Sequence, residues 1–143
     1  VSQDIYKAIY ARVKKEPFAE KLGMKLVDVT KGCSVVEMKL TKEMENIFGM
    51  THGGAIFSLI DEAFETASNS HGTVAVALNM NVTYISAPHT GDTLRAEAEE
   101  VGRTARTGNY SIKVTDAKGV LIAVCQALVY RKKERLPFLG RDD

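Results

Sequence analysis

Hydrophobic residues recur along this chain with two different periods. From Gln3 to Lys15, Ile5, Ala8, Ile9 and Val13 share one stripe at helical spacing, with Lys7, Lys14 and Lys15 off it. That pattern predicts a short amphipathic helix. Pro17 suits the first turn of a second short helix, Phe18 to Leu22, which Gly23 would end. The period then shortens. Lys25 to Thr30 reads as a strand, Lys31-Gly32 as a turn, and Val36, Met38 and Leu40 alternate with Glu37, Lys39 and Thr41, as in a half-buried strand.

Helical spacing returns once. After a loop from Lys42 to His52, residues Ile56, Leu59, Ile60, Ala63, Phe64 and Ala67 form a broad apolar stripe, predicting a buried helix that ends near Ser70 to Gly72. The rest is strand-like. Val74 to Ala87 alternates in its second half. Leu94, Ala96 and Ala98 alternate with Arg95, Glu97 and Glu99, and Tyr110, Ile112 and Val114 with Ser111, Lys113 and Thr115. Turn residues separate these runs at Pro88 to Asp92, Gly102 to Gly108 and Asp116 to Gly119. Leu121 to Tyr130 is nearly all apolar, which predicts a central strand covered on both faces. From Arg131 the chain turns basic, and residues 132–143 are expected to be a mobile tail. The order predicts an α+β fold, with an antiparallel six-stranded sheet wrapped around the long helix.

Length and composition narrow the reading. At 143 residues the chain suits one domain, 1–143, with the N-terminal helix at 1–16. A net charge of +1 gives no electrostatic case for nucleic acid or an anionic membrane. The longest apolar run, Val120 to Cys125, is far shorter than the roughly twenty residues of a membrane span. Residues 1–16 mix charges among apolar positions and do not read as a signal peptide. Cys33 and Cys125 read as reduced core thiols, so a soluble cytoplasmic protein is expected.

The chemistry is concentrated in Asn46 to Asp61. The loop passes through His52-Gly53-Gly54 into the apolar helix, and that helix carries Asp61 two turns in. A helix start without side chains offers free N–H groups at the positive end of a dipole, and a carboxylate offers a base or a nucleophile. Each residue also has a plainer reading. The glycines fit a flexible loop, Asn46 and His52 fit loop-fixing hydrogen bonds, and Asp61 fits an ordinary boundary carboxylate, as Glu62 and Glu65 do. The three histidines lack metal-ligand spacing, and no Gly-x-Ser-x-Gly elbow, dinucleotide fingerprint or phosphate loop is present. No metal or cofactor is therefore expected.

Asn46, His52, Gly53-Gly54 and Asp61, with the continuation Phe57-Ser58-Leu59-x-Asp61-x-Ala63-Phe64 and the Gly91-Asp92-Thr93-Leu94 turn, together resemble the active-site segment of hotdog-fold thioesterases. The similarity is to the PaaI type, named for phenylacetic acid degradation, and runs from about Phe18 to Tyr130. The resemblance implies a hydrolase of aryl- or aryl-acetyl-CoA thioesters, with acyl-CoA as substrate rather than cofactor and subunits paired into dimers and then a homotetramer. It implies that the Gly53 N–H polarises the thioester carbonyl, that Asn46 assists, that His52 supports the loop, and that Asp61 serves as general base or nucleophile. Gly54, Phe57, Ile60 and Phe64, with Asn79, Arg103 and Arg106, become candidates for substrate contacts. Phe57, Ile60 and Phe64 are as readily plain core, and the two arginines fit a solvated hairpin. Where some relatives carry a serine or threonine that assists the carboxylate, this chain has Ala77, with Asn79 nearby. A hotdog acyl-CoA dehydratase and a non-catalytic acyl-CoA-binding oligomer stand as alternatives.

Spacing adds an expectation of its own. Gly53 and Asp61 are eight residues apart, roughly 12 Å along one helix. If both act on one thioester, Asp61 must come from a second chain, and the dimer becomes the catalytic unit.

Overall fold

A computed structural model describes residues 2–140. Helix α1 spans Ser2–Val13 and α2 spans Pro17–Leu22; strands β1 (Lys25–Thr30) and β2 (Cys33–Lys39) follow. Helix α3 runs Gly53–Ser68, and β3 (Thr73–Tyr84), β4 (Thr93–Arg103), β5 (Thr107–Thr115) and β6 (Leu121–Arg135) complete the chain. Val1 and residues 141–143, the outer ends of the expected N-terminal helix and tail, lie outside the described residues. Among the described residues no helix is long and apolar enough to cross a membrane.

All strand pairs are antiparallel, in the order β1-β2-β4-β5-β6-β3. The sheet wraps α3 as the resemblance to the hotdog fold implies. Ile56, Leu59, Ile60, Ala63, Phe64 and Ala67 of α3 are buried, together with Val36, Met38, Leu94, Ala96, Ile112 and Val114 from the strands. Full burial of a side chain of this size contributes roughly 1.5–3 kcal/mol relative to leaving it in water. Phe64 meets the Tyr110 ring at 5.6 Å between centroids, tilted by 59°. Two polar ties fix the helix on the sheet: the Ser34 hydroxyl donates to the Ala63 carbonyl at 2.6 Å, and the Gly32 N–H donates to Ser70 Oγ at 2.7 Å.

Two expectations change. Strand β6 is interior by pairing, but only one face is covered: Ile122, Cys125, Ala127 and Val129 are buried, whereas Val124, Gln126 and Tyr130 are exposed. An apolar run does not by itself say how many faces the fold will cover. The basic segment is not a free tail from 132 either, because β6 continues to Arg135, Leu136 is buried, and Phe138 and Leu139 pack on the core. Strand β3 is the opposite of buried. It closes one edge of the sheet, with Val76, Leu78 and Tyr84 exposed and the following Ile85 exposed as well. A long apolar edge of this kind is a ready surface for another strand.

Candidate active site

The loop before α3 is built around the Asn46 side chain. Its Oδ1 accepts the Phe48 N–H at 2.9 Å and the Met50 N–H at 3.1 Å, while the Asn46 N–H donates to the Met50 carbonyl at 2.7 Å. The turn closes through Gly49, whose φ of 73° favours glycine. With Oδ1 committed to two donors, the amide orientation is determined. Nδ2 has no partner among the described residues. The loop-fixing and donor readings of Asn46 are therefore compatible, because they use different atoms.

His52 is the N-cap of α3. Its Nδ1 accepts the Gly54 N–H at 2.8 Å, which puts the proton of the neutral ring on Nε2. The Gly54 N–H is thus consumed inside the chain and is not free for substrate, which corrects the expectation of a Gly54 contact through that group. Gly54 is needed for another reason: a Cβ there would sit 2.9 Å from His52 Nδ1.

Gly53 differs. Its N–H has no partner among the described residues, and its φ is not in the left-handed region. A Cβ there would reach only ordinary contact with the Tyr84 ring, at 3.4 Å. No contact within the chain demands glycine at this position. What the missing side chain leaves is an open approach to one N–H at the positive end of a 16-residue helix. Tyr84, which the sequence did not single out, donates its hydroxyl to the Gly53 carbonyl at 3.1 Å. Gly53, Ile56, Tyr84, Ile85 and Pro88 border a cavity of about 280 Å³.

Asp61 lies on the outward stripe of α3, one turn beyond Phe57, and both are exposed in the protomer. Partial burial, and then the negative Glu16, hold its carboxyl above the ordinary aspartate range. Gly53 and Asp61 occupy one uninterrupted helix, so the separation of roughly 12 Å along its axis stands. Ile60 and Phe64 face the opposite way. They are 0% and 1% exposed and pack in the protomer core, the plainer of the two readings that spacing left open. The stripe containing them is wide enough that spacing alone does not separate its inner from its outer margin.

Asn79 and Ala77 are exposed on β3, where the register with β6 shifts between them. Arg103 is partly engaged: its Nη1 donates to the His71 ring and its Nε approaches Glu100 at 3.9 Å, while the residue stays exposed. His71 Nε2 stands 2.9 Å from Glu100 Oε1, and the Tyr110 hydroxyl donates to the same oxygen at 3.0 Å. Arg106 is exposed at the β4–β5 turn, and its guanidinium has no partner among the described residues.

Comparison with known proteins adds to this geometry. Residues 48–123 match the family described as Thioesterase superfamily. A protein of Archaeoglobus fulgidus named putative esterase is 40% identical over 124 residues, spanning 87% of this chain and 80% of that protein. The acyl-coenzyme A thioesterase PaaI of Escherichia coli is 30% identical over 131 residues, 92% of this chain and 94% of its own. A solved structure of the E. coli PaaI protein from the phenylacetic acid degradation operon superposes with a TM-score of 0.89 at 30% identity, over 94% of this chain and 97% of that one. A Streptococcus mutans protein solved bound to acetyl CoA superposes with a TM-score of 0.76 at 26% identity, over 79% of this chain and 91% of that one.

Proposed function

The chain belongs to the thioesterase superfamily, and we propose that within it this protein hydrolyses aryl- or aryl-acetyl-CoA thioesters to free acid and CoA. Acyl-CoA thioester hydrolysis is the activity in the names of two relatives, PaaI of Escherichia coli and acyl-coenzyme A thioesterase 13 of Pongo abelii; the aryl preference is the finer step. That preference is supported by the likeness to PaaI and by the apolar lining of the cavity beside Gly53, from Ile56, Tyr84, Ile85 and Pro88. The observation that carries the reading is the Gly53 N–H: unpartnered among the described residues, bare of a side chain, and at the start of α3.

The reaction follows from charge. Water attack on the thioester carbonyl puts a negative charge on its oxygen, and fixed donors stabilise that oxyanion, commonly by about 3–4 kcal/mol each. The Gly53 N–H is one donor and Asn46 Nδ2, which its loop leaves unused, is the second. Asp61 takes the proton from the attacking water, or attacks the carbonyl itself and is then released by water. Either path needs the ionised carboxylate, and its raised pKa makes it a better base for a water proton. The tetrahedral species collapses and the CoA thiolate leaves without needing a strong acid. His52 positions the donor by capping α3. Ala77 offers no hydroxyl to orient the water, and exposed Asn79 is the polar group nearby in sequence on β3.

The 12 Å between Gly53 and Asp61 supports a two-fold dimer as the catalytic unit, with antiparallel copies of α3 bringing Gly53 of one protomer to Asp61 of the other. The exposed apolar edge of β3 and the outward Phe57 are the surface such pairing would cover. The acyl pocket would then lie between subunits, with Phe57 on its wall and Arg106 as the open cation for the CoA phosphates. A homotetramer of such dimers, a single hotdog domain over the whole chain, and a cytoplasmic location complete the proposal. The last is in keeping with the two free cysteines. Thiol release on a panel of CoA thioesters tests it. Turnover is expected to be fastest with phenylacetyl- and hydroxyphenylacetyl-CoA. Equal or faster release from straight-chain acyl-CoA would remove the aryl assignment.

A further inference from the structure

Three glutamates that the hydrolysis does not use converge where the N-terminal helices meet α3. Glu62 and Glu65 lie one turn apart on α3, and Glu16 comes from the link between α1 and α2. One carboxylate oxygen of each lies within 4.8 Å of the other two. Sequence spacing assigns Glu62 to the helix boundary, but it is only 3% exposed. Its Oε1 is shut away from solvent and no amide, hydroxyl or cationic donor reaches it among the described residues; the polar groups beside it are the Glu16 and Glu65 carboxyls. A buried carboxylate oxygen without a partner costs free energy that something must offset. Among the described residues no lysine or arginine forms an ion pair with any of the three. Arg12 lines the neighbouring cavity with Glu16 and Glu65 but does not pair with either. Burial first, and then Glu16 and Glu65, push the Glu62 carboxyl upward; burial and then Glu16 push Glu65 upward.

We propose that Glu16, Glu62 and Glu65 form the seat of one hard divalent cation per protomer, which ties the N-terminal helices to α3. The donor set is all oxygen, which selects calcium, magnesium or manganese over softer metals. Two oxygens that each stand about 2.6 Å from one calcium ion are no more than about 5 Å apart, and this cluster meets that limit; a smaller ion such as magnesium would draw them to within about 4.2 Å. Glu62, the buried member of the three, supplies the inner ligand. On the outer side, Glu16 and Glu65 open on a cavity of about 290 Å³, room for the waters that complete the shell of such an ion. The cation is the counter-charge missing from this corner of the fold.

Calorimetric titration of the full chain, stripped with chelator and then given manganese or calcium chloride, tests the seat, with thermal melts alongside. One saturable site per protomer and a higher melting temperature with cation are expected. Glu62→Gln and Glu16→Gln should each weaken binding by about tenfold or more, whereas Glu20→Gln on α2 should leave it unchanged. Glu16 lies outside both helices, so its variant reports even if Glu62→Gln fails to fold. No saturable binding by the wild type up to millimolar cation would mean that shared protons hold the cluster together, and would overturn the proposal. Wild-type affinity in the Glu16→Gln variant would overturn it as well.

Discussion

His52 and Gly54 close on each other at the start of α3: the imidazole Nδ1 accepts the Gly54 N–H at 2.8 Å, and the space where a Cβ would stand at 54 is taken by that same nitrogen. One glycine thus serves the cap, and the free donor next to it belongs to the other. Replacing either member of this pair should loosen the helix start. His52→Ala is expected to fold and to lose about 1 kcal/mol of stability, the usual worth of a side-chain N-cap. Gly54→Ala should lose at least as much. Urea midpoints with an unchanged slope would check both, and no loss in His52→Ala would show that the cap contributes nothing.

Gly53→Ala separates the second glycine from the first. Only ordinary contact with Tyr84 awaits the new methyl group, so the melting temperature should stay within a few degrees of wild type, while thiol release should fall by up to about 10²–10³-fold because the methyl group obstructs the approach to a backbone N–H that alanine still carries. Asp61→Ala, on the outward face of α3, should be comparably inactive and equally well folded. Co-refolding the two inactive variants should restore activity, because a mixed dimer with shared sites carries one intact Gly53–Asp61 pair. Absence of recovery, with mixed dimers shown to form, would place each site within one chain.

Asn46→Asp distinguishes a donor from a loop clamp. A carboxylate keeps an acceptor for the Phe48 and Met50 N–H groups, so the loop should persist. The N–H donor is lost and a negative charge replaces it. Turnover is expected to fall by about 10² or more with little change in stability. Full activity in the Asn46→Asp variant would limit Asn46 to shaping its loop.

Acid should weaken the far end of the sheet. Burial raises the Glu100 carboxyl, but hydrogen bonds from His71 and Tyr110 outweigh it and hold the net value below the ordinary 4.5. Its contribution is therefore complete above that value and is lost as pH falls through the lower, folded one. His71 acts in the same direction: burial, foremost, holds it below its ordinary 6.5, so the unfolded chain takes up the proton first as the pH drops. Stability should decline from about pH 6.5 downward and again through the carboxylate range. Glu100→Gln should flatten the lower part of that decline in urea melts at a series of pH values.

Much of this was legible in the residues. The stripe from Ile56 to Ala67 located α3, and the alternations around Val36, Leu94 and Tyr110 located their strands. The order of Asn46, His52, Gly53 and Asp61 located the candidate site and implied its family. What was not legible has one cause. A stripe describes a helix surface, not what packs on it, so spacing left Ile60 and Phe64 open between core and substrate until both proved buried. Glu62 read as a boundary residue until the link carrying Glu16 was laid over that side of α3. Arg103 looked wholly solvated until His71, from the turn just after α3, met it across the β4–β5 corner. The basic segment after Arg131 read as a tail, but it pairs with the start of β3, where Arg131 and Arg135 stand opposite Ala75 and Thr73.

The sequence by itself determined what depends on neighbours along the chain: helix and strand periods, the bare glycine donor, and the rise per residue that keeps Gly53 from Asp61. Only the tertiary structure decided what depends on residues distant in sequence. It showed which margin of α3 is covered, that the His52 ring rather than substrate holds the Gly54 N–H, that β3 ends as an open apolar edge, and that three glutamates share one corner without a counter-charge among the described residues. Local geometry follows from bond lengths and repeat; burial and charge depend on which distant segments fold back onto it.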